Sequence, residues 1–159
     1  VTKFLLAVHV IAAIVAIGPV TVAASMFPPA ARKVLDAPDD TSALATVRLL
    51  HRICQVYAVA GVAVPVFGFA TASDMGVLGD TWLIVSIGLT ALAAVVLAAL
   101  VLPRQSAILE GCEKQETLSE AVADRAVTVR LAMFTGIFNL LWATVTVLMI
   151  IRPGSTTGA

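Results

Sequence analysis

Two histidines are the side chains of this sequence best suited to chemistry. His9 lies in "KFLLAVHVIAAIVAIGPVTVAASMF", residues 3–27, where it is the one ionisable group beyond Lys3. An ionisable side chain in so apolar a run is costly, and it marks a candidate site with an expected partner. An imidazole there can bind haem or copper, join a proton relay, or stay neutral and hydrogen-bonded inside the protein. His51 stands three residues after Arg48 and one before Arg52. On a helix these three fall on successive turns, which reads as a solvated stripe facing lipid headgroups. A bound lipid or quinone headgroup is the sharper alternative for Arg48, His51 and Arg52. Arg130 repeats the motif, because "TVRL" occurs at 46–49 and again at 128–131.

The histidines do not read as one metal site. By helical rise His9 lies ~9 Å from one end of its run, and His51 enters the second apolar run from the opposite side, roughly 15–20 Å away along the helix axes. A bis-histidine haem is therefore not expected within one chain, and Met149 is the weak ligand otherwise near the His9 end. Cys54 and Cys112 are far apart and belong to no CxxC or Cys/His cluster, so neither zinc nor a disulfide scaffold is expected. They read as a small residue within a helix and a thiol in a loop. The sequence holds no Ser/His/Asp set, HExxH, paired intramembrane carboxylates or glycine-rich phosphate loop. Autonomous catalysis is not expected.

The elements that must position these groups are long and apolar. The chain has 159 residues, 60% hydrophobic and 13% charged, with net charge zero and mean hydropathy +1.01. Small domains keep much of their surface wet, so water could not dissolve a fold of this composition. Zero net charge and the lack of a polybasic tail argue against nucleic acid as a partner. Four blocks, 4–27, 53–72, 82–102 and 131–151, each contain 20 or more residues without Asp, Glu, Lys or Arg. Each can cross ~30 Å of hydrocarbon as a helix, the form that satisfies its own backbone. The blocks do not alternate as barrel strands would. The first could also be a signal peptide, but its core exceeds the ~7–15 residues usual for one.

The expected fold is all-α: a single domain, 1–159, forming an antiparallel up-down bundle of four transmembrane helices. The spans are placed at about 4–27, 48–72, 82–102 and 128–151, with cytoplasmic loops at 28–47 and 103–127. Eight of the ten Lys and Arg residues fall in the two segments between odd and even spans, against Lys3 and Arg152 on the other side. The positive-inside rule then puts both termini outside a bacterial cytoplasmic membrane. Val1 in a start position suits a bacterial GTG codon. Trp82 reads as an interfacial anchor. Asp40, Thr41 or Ser42 offers an N-cap ahead of span two, and Thr117-x-x-Glu120 spells a capping box ahead of span four. Pro19 and Pro65 predict kinks. Small residues abound in the spans without GxxxG there, and "GVAVPVFG" has the wrong spacing for it.

Few polar atoms remain inside the spans: Gln55 and Tyr57 in the second, Ser86 in the third, and Asn139, Thr144 and Thr146 in the fourth. Ser86, Thr144 and Thr146 match His9 in depth and are its expected partners. Gln55, Tyr57, Asn139 and Trp142 read as interhelical glue. "HVIAAIVAIG", the Arg entering span two, the Pro-Arg after span three and the closing "LMIIRPG" resemble a family of small bacterial integral membrane proteins, domain of unknown function 2269. More distantly, the first helix resembles that of copper-resistance D-type membrane proteins, although Gly18-Pro19 departs from the Trp-Gly-Gly-like stretch that likeness leads one to expect. The resemblance implies four spans and, through His9, a hint of metal. The expected function is a non-catalytic accessory, scaffold or lipid-associated membrane protein, with membrane lipids, other subunits or itself as partners. A haem- or copper-binding protein using His9 is the alternative, and no cofactor is predicted outright. A small transporter is the third reading, and it requires a cavity lined by Asn139, Tyr57 and Ser86.

Overall fold

Three prolines fall inside the first helix and none ends it. In the computed structural model α1 runs from Thr2 to Asp36 through Pro19, Pro28 and Pro29. At 1.5 Å per residue it is ~50 Å long, well beyond the hydrocarbon thickness. Each proline withholds one N–H from the carbonyl four residues earlier, so Val15, Ala24 and Ser25 lose their usual donors. The structure describes the backbone of residues 1–114 and 118–154, and the side chains of these except 118–124.

The second rod has two parts, α2 (Thr41–Ala60) and α3 (Ala63–Met75). Pro65 explains the break. It cannot donate to Gly61 O, which instead accepts from Val64 N at 3.1 Å in a tighter turn. Gly76, at φ +70°, closes α3 in the left-handed conformation that glycine adopts without a Cβ clash. The third rod is α4 (Thr81–Val95), a π-helical turn at Val96–Val101, and α5 (Leu102–Lys114). Arg104 donates from Nη1 to Leu100 O in that turn, at 2.9 Å, and its guanidinium lies 4.4 Å from the Phe134 ring centroid. The fourth rod is α6 (Leu118–Ile151).

The chain is an all-α antiparallel bundle. Among the described residues, four helical rods are long and apolar enough to cross a membrane. α1 packs against α2, α3, α5 and α6, while α4 packs mainly against α6. Phe27, Phe138, Ile108 and Leu131 fill the core. Phe4, Ile14, Val59, Phe69, Leu140 and Ile150 face outward, the distribution expected where hydrocarbon is the solvent.

The polar segments are largely helical, as the N-cap placed ahead of span two led one to expect for 41–47. Residues 28–36, 41–47 and 103–114 all belong to helices, and the link between the first two rods is short. Asp40 is the N-cap of α2: its Oδ1 accepts from Ser42 N at 3.0 Å and Ala43 N at 3.1 Å. These two hydrogen bonds and one from the Ser42 hydroxyl, the largest influence, hold its carboxyl below the usual range. The Thr117–Glu120 box lies outside the described residues. Ion pairs Arg48–Glu113, at 2.7 Å, and Arg125–Asp36 tie the rods together at this polar end. At the other end the Thr2 hydroxyl donates to Asp74.

Candidate functional site

Three polar clusters interrupt the apolar packing. The most buried surrounds His51, which is 7% exposed. Its Nδ1 donates to Gln105 Oε1 at 3.0 Å, and Gln105, fully buried, donates from Nε2 to Cys54 Sγ at 3.5 Å. The Ser106 hydroxyl lies 3.2 Å from His51 Nε2 and 3.2 Å from Leu102 O. The Phe27 ring meets the imidazole edge-on, with centroids 6.4 Å apart. This cluster joins α2 to α5 and leaves no nitrogen of the imidazole unpaired.

That placement corrects the headgroup stripe. Arg48 and Arg52 are exposed, as is Arg130, but His51 turns inward. The reason is register: Ala43, Val47, Leu50 and Cys54 form the buried seam of α2, and His51 lies four residues after Val47 on that seam. Cys112, expected in a loop, is buried on α5 together with Gln105 and Ile108. Trp82 is also turned in rather than anchoring at the surface. It is 7% exposed, donates to Asp80 Oδ2 at 3.0 Å and lies under the Arg152 guanidinium.

His9 is half-buried and joins α1 to α3. Its Nδ1 lies 2.9 Å from Val64 O. A carbonyl only accepts, so Nδ1 carries the proton and Nε2 of the neutral ring is a lone-pair nitrogen. The ring fits because residue 68 is glycine: a Cβ there would stand 2.8 Å from His9 Cε1. Gly61, seven residues earlier, differs: a Cβ there would lie at an ordinary 3.8 Å from Ile17 Cδ1 of α1, and its tighter neighbours, at 3.2 Å, are the carbonyls of Tyr57 and Ala58 in its own segment. The hydroxyls expected to satisfy His9 do not reach it. Ser86, Thr144 and Thr146 donate instead to the carbonyls of Trp82, Leu140 and Trp142, at 2.8–3.0 Å. That bond closes within one helix, whereas Val64 O, before Pro65, offers an acceptor directly across from the ring.

Beside His9 is a cavity of about 40 Å³ whose walls include Met75, Met149, Trp82 and Arg152. It brings one imidazole and two thioethers together. Met149 was legible as a neighbour in depth; Met75 was not, because it comes from the far end of α3. No group of three His, Cys, Asp or Glu residues that could hold a metal occurs among the described residues.

The third cluster lies between α1 and α6. Asn139 Nδ2 donates to Ser25 Oγ at 3.1 Å, so Asn139 is interhelical glue, and Trp142 packs half-buried on the core. Gln55 points outward, and Tyr57 packs against the core from α2. The cavity that Asn139 lines is bounded by residues of α1 and α6 alone. Ser86 is fully buried on α4. Of Asn139, Tyr57 and Ser86, only Asn139 lines either of these two cavities.

These observations place the chain among lipid-embedded helical bundles, and the comparison with known families agrees. The family model described as "Predicted integral membrane protein (DUF2269)" matches residues 3–153. The chain belongs to that family. No curated protein and no solved structure matches it. The DUF2269 match covers all four rods, the His9 cavity and the His51 cluster together.

Proposed function

We propose that this DUF2269 protein is a non-catalytic, lipid-associated bundle of the bacterial cytoplasmic membrane that serves as an accessory or scaffold for other membrane subunits or further copies of itself. One observation carries the reading: three polar side chains inside the spans fasten different rods together. His9 ties α1 to α3, His51 ties α2 to α5, and Asn139 ties α6 to α1. Both termini face outward and the Arg48–Glu113 end faces the cytoplasm. In favour of this orientation, eight of ten basic residues belong to segments at that end. The test is spectroscopy and metal analysis of protein purified in mild detergent. The expected result is no Soret band, no stoichiometric copper and an assembled bundle in His9→Leu. A Soret band or bound copper that disappears in His9→Leu overturns the reading. Labelling of a thiol engineered near Lys114 from outside intact cells overturns the orientation.

A second reading is favoured by the cavity at His9. An unprotonated Nε2 beside Met75 and Met149 is a soft donor set, suited to Cu(I). A carbonyl that accepts from Nδ1 is the usual way of orienting a metal-binding imidazole. Arg152 on the same wall disfavours a divalent ion more than a monovalent one. About 40 Å³ accommodates a water or an ion, whereas a porphyrin would need the rods to part. Titration with Cu(I) under reducing conditions decides it: binding by the wild type that Met75→Leu and Met149→Leu each weaken supports this reading, and equal binding by all three overturns it.

A further inference from the structure

Five hydroxyls inside these helices share a pattern that Thr135 does not. Thr71, Ser86, Thr90, Thr144 and Thr146 each donate to the carbonyl four residues earlier, at 2.7–3.0 Å. Thr135 is 3% exposed, and its Oγ1 is buried with no partner. One turn on, Asn139 uses its amide nitrogen on Ser25 and leaves Oδ1 buried and unpaired. Both residues line a cavity of about 320 Å³ with Ser25, Pro28, Pro29 and Arg32. Pro28 and Pro29 add to the deficit, since the carbonyls of Ala24 and Ser25 have no N–H four residues on. An unsatisfied polar group in a membrane is costly, and here several converge.

We propose that this cavity binds the glycerol phosphodiester head of an anionic phospholipid, such as phosphatidylglycerol. The proposal rests on the lipid-associated reading and assigns it a site. Asn139 Oδ1 demands a donor, which a headgroup hydroxyl supplies, and the Thr135 hydroxyl pairs with a second hydroxyl or an ester oxygen. Arg32, exposed at the cavity wall, receives the phosphate. It makes no ion pair among the described residues, because Asp36, one turn later, is paired with Arg125. Ser25, Pro29 and Ala132 are exposed, so the cavity opens on the outer face of the bundle. Met26, Met133 and Leu140, exposed beside it, offer an apolar surface for acyl chains. A phosphatidylethanolamine head would bring an ammonium toward Arg32, and phosphatidic acid lacks the hydroxyls Asn139 and Thr135 would use.

Gly136 supplies the blocking variant. It lines the cavity, and a Cβ added there meets nothing within 4 Å, so Gly136→Leu occupies the space without a clash at its first atom. Arg32→Gln is the second variant, at an exposed position where folding is not at stake. The experiment is native mass spectrometry of detergent-purified protein titrated with phosphatidylglycerol, phosphatidic acid or phosphatidylethanolamine. The expected result is one tightly held phosphatidylglycerol per chain, preferred over the other two, with affinity about tenfold lower in each variant, equal to ~1.4 kcal/mol. Equal binding of the three lipids overturns the proposal. So does phosphatidylglycerol held equally by the wild type and both variants, which would leave lipid association standing but move it elsewhere. Free glycerol 3-phosphate is the last arm: if it competes at concentrations where the lipid does not bind, the site takes a soluble phosphate and the lipid assignment falls.

Discussion

His51 and His9 have the same side chain in two unlike settings. At His51 both ring nitrogens have neighbours: Gln105 faces Nδ1, Ser106 faces Nε2, and Gln105 passes its amide on to Cys54. At His9 one nitrogen is tied to Val64 O, and the other belongs to a ring that lines a cavity with two methionines. The bundle is finished at His51 and keeps capacity at His9. A saturated buried network fixes one arrangement of its helices, and a partly used one is a place for a ligand or for motion. The α1–α6 seam, with the Thr135 hydroxyl and Asn139 Oδ1 unpaired, is of the second kind.

The sharpest way to break the comparison is to unbalance the saturated cluster. Gln105→Leu leaves His51 Nδ1 and its proton in the core with no acceptor, at a cost of about 1–3 kcal/mol. His51→Leu strands the Gln105 amide oxygen at a similar cost. The double variant His51→Leu/Gln105→Leu removes both partners and should be less destabilised than the two single losses added together, because paired removal leaves fewer orphans. Thermal or denaturant unfolding in detergent micelles reads all three. Strict additivity would show that the two side chains do not act together.

At His9 the expected effect is smaller and comes from a residue without a side chain. Gly68→Ala would set a methyl 2.8 Å from Cε1. The ring must then shift, weakening its bond to Val64 O, with a loss of about 1 kcal/mol. His9→Leu in the Gly68→Ala background should add little, since the clamp is already weakened. If Gly68→Ala unfolds like the wild type while His9→Leu is destabilised, the ring does not rest on Gly68. A change in the nuclear magnetic resonance chemical shifts of the His9 ring in Gly68→Ala, with those of His51 unmoved, would confirm that the two sites are separate.

The four rods were legible because transmembrane length and the lack of charge are properties of contiguous sequence. The cap of α2 was legible to within three residues, Asp40, Thr41 or Ser42, because capping is decided within four residues. The inward turn of His51 was only half hidden. Arg48 and Arg52 suggest a wet face, but the apolar spacing of Val47, Leu50 and Cys54 brings His51 to the dry seam. Gln105, Ile108 and Cys112 repeat that spacing on α5. The π turn at Val96–Val101 had no signal, since a run of Ala, Val and Leu suits an α-helix equally well. Gly68, Met75 and Thr135 could not be found by any local rule. The first owes its role to a ring 59 positions away in the chain, the second to the meeting of α1, α3 and α6, and the third to a hydrogen bond that is not made.

The smallest effect concerns the polar end, where the His51 cluster is anchored by the start of α2. Asp40 accepts from Ser42 Oγ, Ser42 N and Ala43 N, and its carboxyl is held below the ordinary range by these bonds. A carboxylate whose folded-state pKa is depressed stabilises the fold above its unfolded value, and that contribution disappears as pH falls through the folded value. Hydrogen exchange at Ser42 and Ala43 should therefore be slow near neutrality and accelerate at acid pH, only below the range where an ordinary aspartate titrates. Asp40→Ala should exchange fast at every pH tested, and Asp40→Asn, which still accepts but does not titrate, should flatten the acid response. Because α2 continues in register from this cap to His51, the comparison is sharpened by following His51 in Asp40→Ala. If the cap only nucleates the helix, Gln105 and His51 remain paired while the first turn frays. If the His51 signal shifts as well, the saturated cluster depends on a cap eleven residues away, and the two ends of that helix fold as one unit.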